Sequence, residues 1–166
     1  MVWEGMLKEG LAICRGIQER YHPARHNPFN EVECGDHYAR AMASWGVYTA
    51  LAGYEYHGPK GHLGFAPRIT PDNFRAAFTC AEGWGTFAQK RDSKAQREEI
   101  ELRRGKLRLK SLAFAIPENL RKVKVLVEAA GRPVKIDYSL KDRRLDIILK
   151  KELVLSENQT LEVSIN

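Results

Sequence analysis

The sequence has few cysteines and no long apolar run. Its 166 residues include only Cys14, Cys34 and Cys80, an odd and widely spaced set that argues against a disulfide framework and indicates a reducing compartment. No apolar run approaches the roughly 20 residues that span a bilayer, so we expect no transmembrane segment. The first six residues lack the basic and apolar regions of a secretory signal. We therefore expect a cytoplasmic protein.

Aromatic side chains are scarce where positive charge is concentrated. The net charge is +6, yet residues 1–80 carry eight basic and eight acidic side chains, whereas residues 81–166 carry 19 and 13. Nucleic-acid surfaces add aromatic side chains that stack on bases, and beyond Phe87 only Phe114 and Tyr138 remain. The cations alternate with apolar residues, which is typical of a solvated strand face. We expect no nucleic-acid partner and keep a basic nucleic-acid-binding sheet only as a second alternative.

Two helices are predicted in the first part of the chain. Apolar residues recur at spacings of three and four over residues 3–20, which indicates an amphipathic helix. A second helix is predicted over residues 37–52, with Asp36 as its N-cap. Arg40 is the only charge inside this second helix, and a helix without a polar face is buried on all sides. Two helices cannot bury it, so we expect it to belong inside a larger assembly or to drive self-association.

The rest of the sequence has the pattern of strands. Residues 54–67 predict two short strands around a Gly-Pro-Lys-Gly turn. From about residue 74 apolar and polar residues alternate, and six or seven short strands follow. Turn signals separate them at Gly105, 117–119, 131–133 and 141–142. We predict an α+β protein: helices and a short hairpin in residues 1–73, then an antiparallel β-sandwich or meander in residues 74–166.

Metal and thiol chemistry are weakly supported by the sequence. Cys34 and His37 have the spacing of half a zinc site, but no second pair of ligands lies nearby. A cysteine nucleophile needs a base and a group that orients the base, and only His37 lies close to Cys34. A buried thiol at the start of a helix explains the same residues. We expect neither a metal nor a cofactor.

An acidic cluster precedes the second predicted helix and gives a stronger signal. If the chain is extended there, Glu31 and Glu33 project to the same side. Paired carboxylates can cleave glycosidic bonds, although an acid and a nucleophile must approach opposite sides of the bond. The cluster could also favour the helix dipole, or hold a pair of sugar hydroxyls beside Arg40. A charge inside an apolar helix needs a partner, and Glu31 and Glu33 are the nearest in sequence.

The segment from Asn27 to Trp45, NPFNEVECGDHYARAMASW, resembles a signature of glycoside hydrolase family 116, which includes non-lysosomal glucosylceramidase and microbial β-glucosidases. Four shorter stretches also look like the C-terminal end of that family: GYEY from Gly53, GFAP from Gly64, FRAAF from Phe74 and EGWGTF from Glu82. The resemblance covers residues 3 to about 88. Residues 90–166 resemble nothing beyond a β-rich segment.

The resemblance implies a fold and a binding role. The family's catalytic domain is an (α/α)6 barrel, of which the two predicted helices would be the last, with residues 37–52 as an inner helix. Glu31 and Arg40 match the family's glutamate and arginine that bind glucose hydroxyls remote from the anomeric carbon. Glu33, Asp36 and His37 would support that loop. The family's acid/base and nucleophile lie upstream of the signature and have no counterpart in this sequence, so we assign no catalytic residue.

Three functions follow as hypotheses. The first is a C-terminal fragment or subunit of a retaining β-glucosidase or glucosylceramidase-like enzyme. It would bind the sugar of a β-glucoside and be inactive by itself, because losing a catalytic unit costs orders of magnitude in rate. Its partner would be the remainder of the barrel, in the same or a separate polypeptide. The alternative is a non-catalytic carbohydrate-binding or docking β module, with residues 90–166 folding alone. The basic nucleic-acid-binding sheet is third.

Overall fold

The computed structural model describes residues 1–22, 24, 41–120 and 123–166. The chain divides into two compact units, residues 1–53 and residues 54–166. The first unit contributes helices and the second a large, mostly antiparallel sheet, so the chain is an α+β protein with a β-rich C-terminal part. Among the helices of the described ranges, none has the length and apolar character of a membrane span.

The first unit contains α1 (Leu7–Arg20) and α2 (Ala41–Ala52). Helix α1 starts four residues later than predicted, because Met1–Gly5 form turns in which the amides of Glu4 and Gly5 donate to the carbonyls of Met1 and Val2. Gly5 has a φ of +82°, which ends those turns in the left-handed region. The predicted start of α2, residues 37–40, and its predicted N-cap, Asp36, lie outside the described residues.

The second unit contains ten strands within its described residues. They are β1 (Glu55–His57), β2 (His62–Phe65), β3 (Asn73–Cys80), β4 (Glu82–Arg91), β5 (Gln96–Ala115), β6 (Val125–Ala129), β7 (Arg132–Pro133), β8 (Ile136–Lys141), β9 (Arg144–Ser156) and β10 (Thr160–Ile165). A 3-10 turn, Gly58–Lys60, joins β1 to β2, so the predicted hairpin is confirmed.

The sheet is organised around β5, which is 20 residues long. The first half of β5 pairs with β4 and β10, and its second half pairs with β9 and, in parallel, with β2. Strand β3 lies beyond β4, β6 and β7 lie beyond β10, and β8 lies beyond β9. Among the strand pairs of the described residues, all except β2–β5 are antiparallel. The first half of β5 therefore belongs to a first group of strands with β3, β4, β6, β7 and β10, and its second half to a second group with β1, β2, β8 and β9.

The two groups of strands pack face to face over an aromatic core. Phe65 of β2 stacks on Phe87 of β4 with ring centroids 3.9 Å apart, although β2 and β4 are not hydrogen-bonded neighbours. Phe78 and Phe114 extend the cluster on either side. All four rings are at most 2% exposed. The period-2 pattern of the sequence supplies this core, because alternate residues of each strand project to the same face.

One turn prediction is wrong. Gly105 was expected to separate two strands, but it lies inside β5 with a φ of +82°. It pairs with Gly83 next to a bulge, and a Cβ at Gly105 would lie 1.9 Å from the carbonyl oxygen of Glu82. Glycine here permits a bulged, continuous strand instead of a turn. The turns predicted around residues 118, 131 and 142 are confirmed.

The division into units differs from the boundary expected at residues 73 and 74. The hairpin β1–β2 and the strand β3 belong with the sheet, since β2 pairs with β5 and β3 pairs with β4. The expected boundary is misplaced because β2 pairs in parallel with β5. This pairing joins residues 49 positions apart, and strand periodicity does not reveal it. Residues 90–166 are consequently a part of the sheet and not a unit of their own.

Candidate functional site

The sugar-binding residues expected from the sequence lie outside the described part of the chain. Residues 23 and 25–40 are not described, and this range holds Glu31, Arg40 and the supporting residues Glu33, Asp36 and His37. The structure therefore neither brings these five side chains together nor separates them. What it does describe is α2, which begins at Ala41, immediately after Arg40 in the sequence.

Helix α2 has no charged residue over its 12 positions. Trp45 is 45% exposed and stacks on Tyr48 at a centroid distance of 5.1 Å, whereas Ala50 and Ala52 are buried. A helix that is apolar on all sides is stable in water only when other elements cover it. The described residues of the first unit leave part of α2 uncovered.

An apolar cleft of about 500 Å³ lies between α1 and α2 within the first unit. Its walls include Trp3, Ile13 and Ile17 on one side and Val47 and Ala50 on the other. Of the described residues that line it, none has a charged side chain, and Trp3, Ile13 and Ile17 are each about half exposed. Gln18 and Ser44 also line the cleft, but most of its described wall is apolar, so it fits an apolar surface better than a sugar, whose hydroxyls need several hydrogen-bonding groups.

A polar network covers the outer face of the second group of strands. Arg144 donates to both carboxylate oxygens of Glu55, at 2.7 and 2.8 Å, and to Asp146 at 2.9 Å. The His62 ring lies 3.5 Å from the same carboxylate through Nε2 and 2.9 Å from the Ser111 hydroxyl through Nδ1. Hydrogen bonding from Arg144 lowers the pKa of Glu55, so its carboxylate is ionised at neutral pH.

This network has the residue types of a serine hydrolase but lacks the other parts of such a site. The amides of Lys110 and Ser111 both donate to the carbonyl of Gly61, at 2.7 and 3.1 Å, so neither is available to bind an oxyanion. Arg144 is already engaged with two carboxylates. The network is best explained as structural, because its hydrogen bonds and ion pairs connect the neighbouring strands β1, β2, β5 and β9.

A second polar group is buried in the core of the second unit. Gln89, Gln96 and Glu98 are at most 1% exposed, and Arg91 lies beside them. Burial raises the pKa of Glu98 from its ordinary 4.5 to about 8, against the opposing effects of a hydrogen bond from Gln96 and of the Arg91 charge. Glu98 is therefore a neutral acid at pH 7. Such perturbed groups often mark functional sites, although ion-pair networks perturb pKa values too.

The cations of the strands are extensively paired with carboxylates in the described ranges. Paired residues include Arg97 with Glu162, Arg103 with Glu101, Arg104 with Glu157, Arg108 and Lys110 with Glu152, Arg143 with Glu118, and Lys150 with Asp137. A cation held by a carboxylate is less available to a phosphate, so this pairing does not favour the nucleic-acid alternative.

Residues described by the structure contain no group of three or more His, Cys, Asp or Glu side chains that could hold a metal ion. Cys14 and Cys80 are free thiols. Cys34 and His37, which carry the half-site spacing, lie outside the described ranges.

The sequence analysis missed the buried acid and the network around Glu55. A signal for Glu98 was present, because strand periodicity places it on the same face as Ile100 and Leu102, which are fully buried. Nothing comparable indicated the network, since it depends on the parallel β2–β5 pairing that brings His62 beside Ser111.

Comparison with known proteins adds no assignment. No protein-family model matches the chain, and the search of curated proteins finds no significant match.

Proposed function

We propose that this chain is the C-terminal part of a retaining β-glucosidase or glucosylceramidase-like glycoside hydrolase of the cytoplasm. Glu31 and Arg40 bind hydroxyl groups of the β-glucoside's sugar. The acid/base and the nucleophile come from other segments of the barrel, so the chain by itself is inactive. The observation that carries this proposal is the long signature from Asn27 to Trp45 and its resemblance to family 116.

The described part of α2 supports the proposal. An inner barrel helix is surrounded by other helices, and α2 is free of charge over its whole length, with the large side chain of Trp45 left half exposed. The apolar cleft beside α2 likewise fits contact with further helices. A self-sufficient helical pair would carry a polar face on each helix.

A carbohydrate-binding or docking β module remains the alternative, and one observation favours it. Residues 54–166 form a compact unit with a core of their own. Such a module would comprise residues 54–166 instead of the 90–166 expected from the sequence, because β5 needs β2 and β4. In that case carbohydrate binding would survive removal of residues 1–53.

The test uses the complete enzyme in its source, with this chain altered by gene replacement. Hydrogen bonds to a charged group contribute about 1.5–3 kcal/mol each, and about 1.4 kcal/mol corresponds to tenfold in rate. Since Glu31 would hold two hydroxyls, Glu31→Gln should lower kcat/KM for an aryl β-glucoside by roughly 10²-fold or more. Arg40→Ala should have an effect of similar size. Glu9→Gln on the exposed face of α1 is the matched control.

The outcomes separate the site from the fold. A large loss in both variants with unchanged thermal stability and an unaffected Glu9→Gln control supports the proposal. Wild-type kcat/KM in Glu31→Gln and Arg40→Ala would refute the assignment of the sugar-binding residues. Carbohydrate binding by residues 54–166 alone would favour the β module.

A further inference from the structure

The two ends of the long strand β5 are joined by a buried group of polar side chains. Gln96, at the start of β5, donates through Nε2 to the carbonyl of Ala115, at its end, over 2.9 Å. Arg91 donates to the same carbonyl at 3.3 Å, and Gln89 donates to the carbonyl of Pro71 at 2.6 Å. We call Gln89, Arg91, Gln96 and Glu98 the polar clasp. It connects the β4–β5 hairpin with the opposite group of strands.

Glu98 is held in the polar clasp by Gln96, whose Nε2 also lies 3.5 Å from Oε1 of Gln89. The Oε1 of Glu98 accepts a hydrogen bond of 2.5 Å from Gln96 Nε2, and its Oε2 is buried with no hydrogen-bond partner among the described residues. Within the same described ranges, the Oε1 of Gln96 is also buried and lacks a hydrogen-bond partner. An ionised carboxylate can only accept hydrogen bonds, so the Oε2 of Glu98 and the Oε1 of Gln96 could not satisfy each other. A proton on Oε2 makes it a donor, and the unpartnered oxygen of the adjacent Gln96 amide is the acceptor that it needs.

The charges around Glu98 do not stabilise its ionised form enough to make the carboxylate the favoured state. Arg91 on β4 is the charged group that acts directly on Glu98. Asp72 before β3 and Arg143 in the β8–β9 turn act on Arg91, with opposite signs. Arg91 also donates a hydrogen bond to the carbonyl of Ala115, and in the part of the chain that the structure describes its buried Nε has no hydrogen-bond partner. The fully buried position of Glu98 outweighs the attraction of Arg91.

We propose that Glu98 is a proton-dependent clasp residue: the neutral acid, paired with the amide of Gln96, holds the start of β5 against its own end, and loss of the proton releases that end of the sheet. The release would free the β4–β5 hairpin and the segment after Ala115 from each other, while the middle of β5, from Lys106 to Leu109, keeps its pairing with β9. This device belongs to residues 54–166 and does not depend on the proposed glycosidase role.

The sign of the pH dependence follows from linkage. The open form exposes Glu98 and gives it an ordinary carboxyl pKa, whereas burial raises the pKa of the closed form to about 8. The closed form is therefore fully favoured at acidic pH. The ratio of the closed to the open form falls roughly tenfold per pH unit between about pH 5 and about pH 8. Above that range the ratio is constant, because Glu98 is ionised in both forms.

Amide hydrogen exchange of the full chain tests the proposal, because protection factors correct for the intrinsic effect of pH. The reporters are the backbone amides of Arg91 and Ile116, which donate to the backbone carbonyls of Asp72 and Arg143. We expect their protection to fall by roughly tenfold per unit between about pH 6 and about pH 8. The amides of Leu107 and Leu155, far along the sheet, should change less. Equal loss at all four amides would indicate global unfolding and overturn the clasp.

Two variants and one direct titration complete the design. Glu98→Gln keeps the shape, donates to Gln96 and cannot ionise, so its protection should not depend on pH in this range. Glu99→Gln, next in sequence and on the opposite face, should behave as the wild type does. If Glu98→Gln fails to fold, the carboxyl ¹³C shift of Glu98 in the wild type decides. Titration near the ordinary value of 4.5, flat wild-type protection, or parallel loss in Glu98→Gln would overturn the proposal.

Discussion

Replacing Phe87 by alanine should remove a buried aromatic contact between the two groups of strands. Phe87 is 0% exposed, its ring stacks on Phe65 at 3.9 Å, and Phe74 and Phe114 lie at 6.2 Å. Truncation of a buried phenylalanine costs about 3–5 kcal/mol, since the lost transfer energy adds to the cavity left behind. The neighbouring rings cannot collapse easily into the space, so we expect about 4 kcal/mol for Phe87→Ala.

This loss is a large fraction of the stability of such a unit, which is of order 5–15 kcal/mol. Denaturant unfolding followed by far-UV circular dichroism measures it. Trp84→Ala, on the same strand but 48% exposed, is the control and should cost less than about 1 kcal/mol. Phe87→Leu keeps most of the side-chain volume, so its loss in the free energy of unfolding should lie between those of Phe87→Ala and Trp84→Ala. Equal losses for Phe87→Ala and Trp84→Ala would refute the packing of the two groups of strands over this core.

Three further predictions concern the backbone, pH and association. Gly105→Ala should destabilise the sheet by more than Gly131→Ala in denaturant unfolding: both have positive φ, worth about 1–2 kcal/mol, but only a Cβ at Gly105 meets a backbone oxygen, at 1.9 Å. Equal effects would contradict that contact. Arg144 lowers the pKa of Glu55. The ion pair should therefore stabilise the fold at neutral pH, and this stabilisation should be lost as the pH falls through the lowered pKa of Glu55. Wild type and Glu55→Gln should therefore differ more at neutral than at strongly acidic pH, and a constant difference would count against the ion pair. The chain purified alone should self-associate, and Trp45→Glu should weaken this in light scattering over a concentration series; a wild-type monomer at all concentrations would oppose the idea that α2 needs a partner.

Local patterns in the sequence predict the elements better than their arrangement. Alternation of apolar and polar residues identified the strands, and the Gly-Pro-Lys-Gly turn identified the hairpin, because both depend on neighbouring residues. The parallel pairing of β2 with β5 joins distant segments, and the length of β5 depends on a bulge at Gly105. Both were out of reach for strand periodicity, and so was the network that joins His62 to Ser111.

The polar residues also divide into those that a local sequence pattern can identify and those whose contacts depend on distant segments. Glu98 could have been found from its register with Ile100, since an acid at an inward position requires either a partner or a proton. The hydrogen bond from Gln96 to Ala115 could not, because it depends on the two ends of β5 meeting. Glu31 and Arg40 remain predictions from resemblance, as they lie outside the described residues.

The most direct test of the central claim is to isolate the chain from its source and assay the isolated material for β-glucosidase activity. A tag after Asn166, introduced by gene replacement, would recover the chain together with any polypeptide that is joined to it or bound to it. The account predicts that hydrolysis of an aryl β-glucoside, with retention of the anomeric configuration, co-purifies with the tag and is lost in Glu31→Gln. Recovery of the tagged chain without β-glucosidase activity would contradict it.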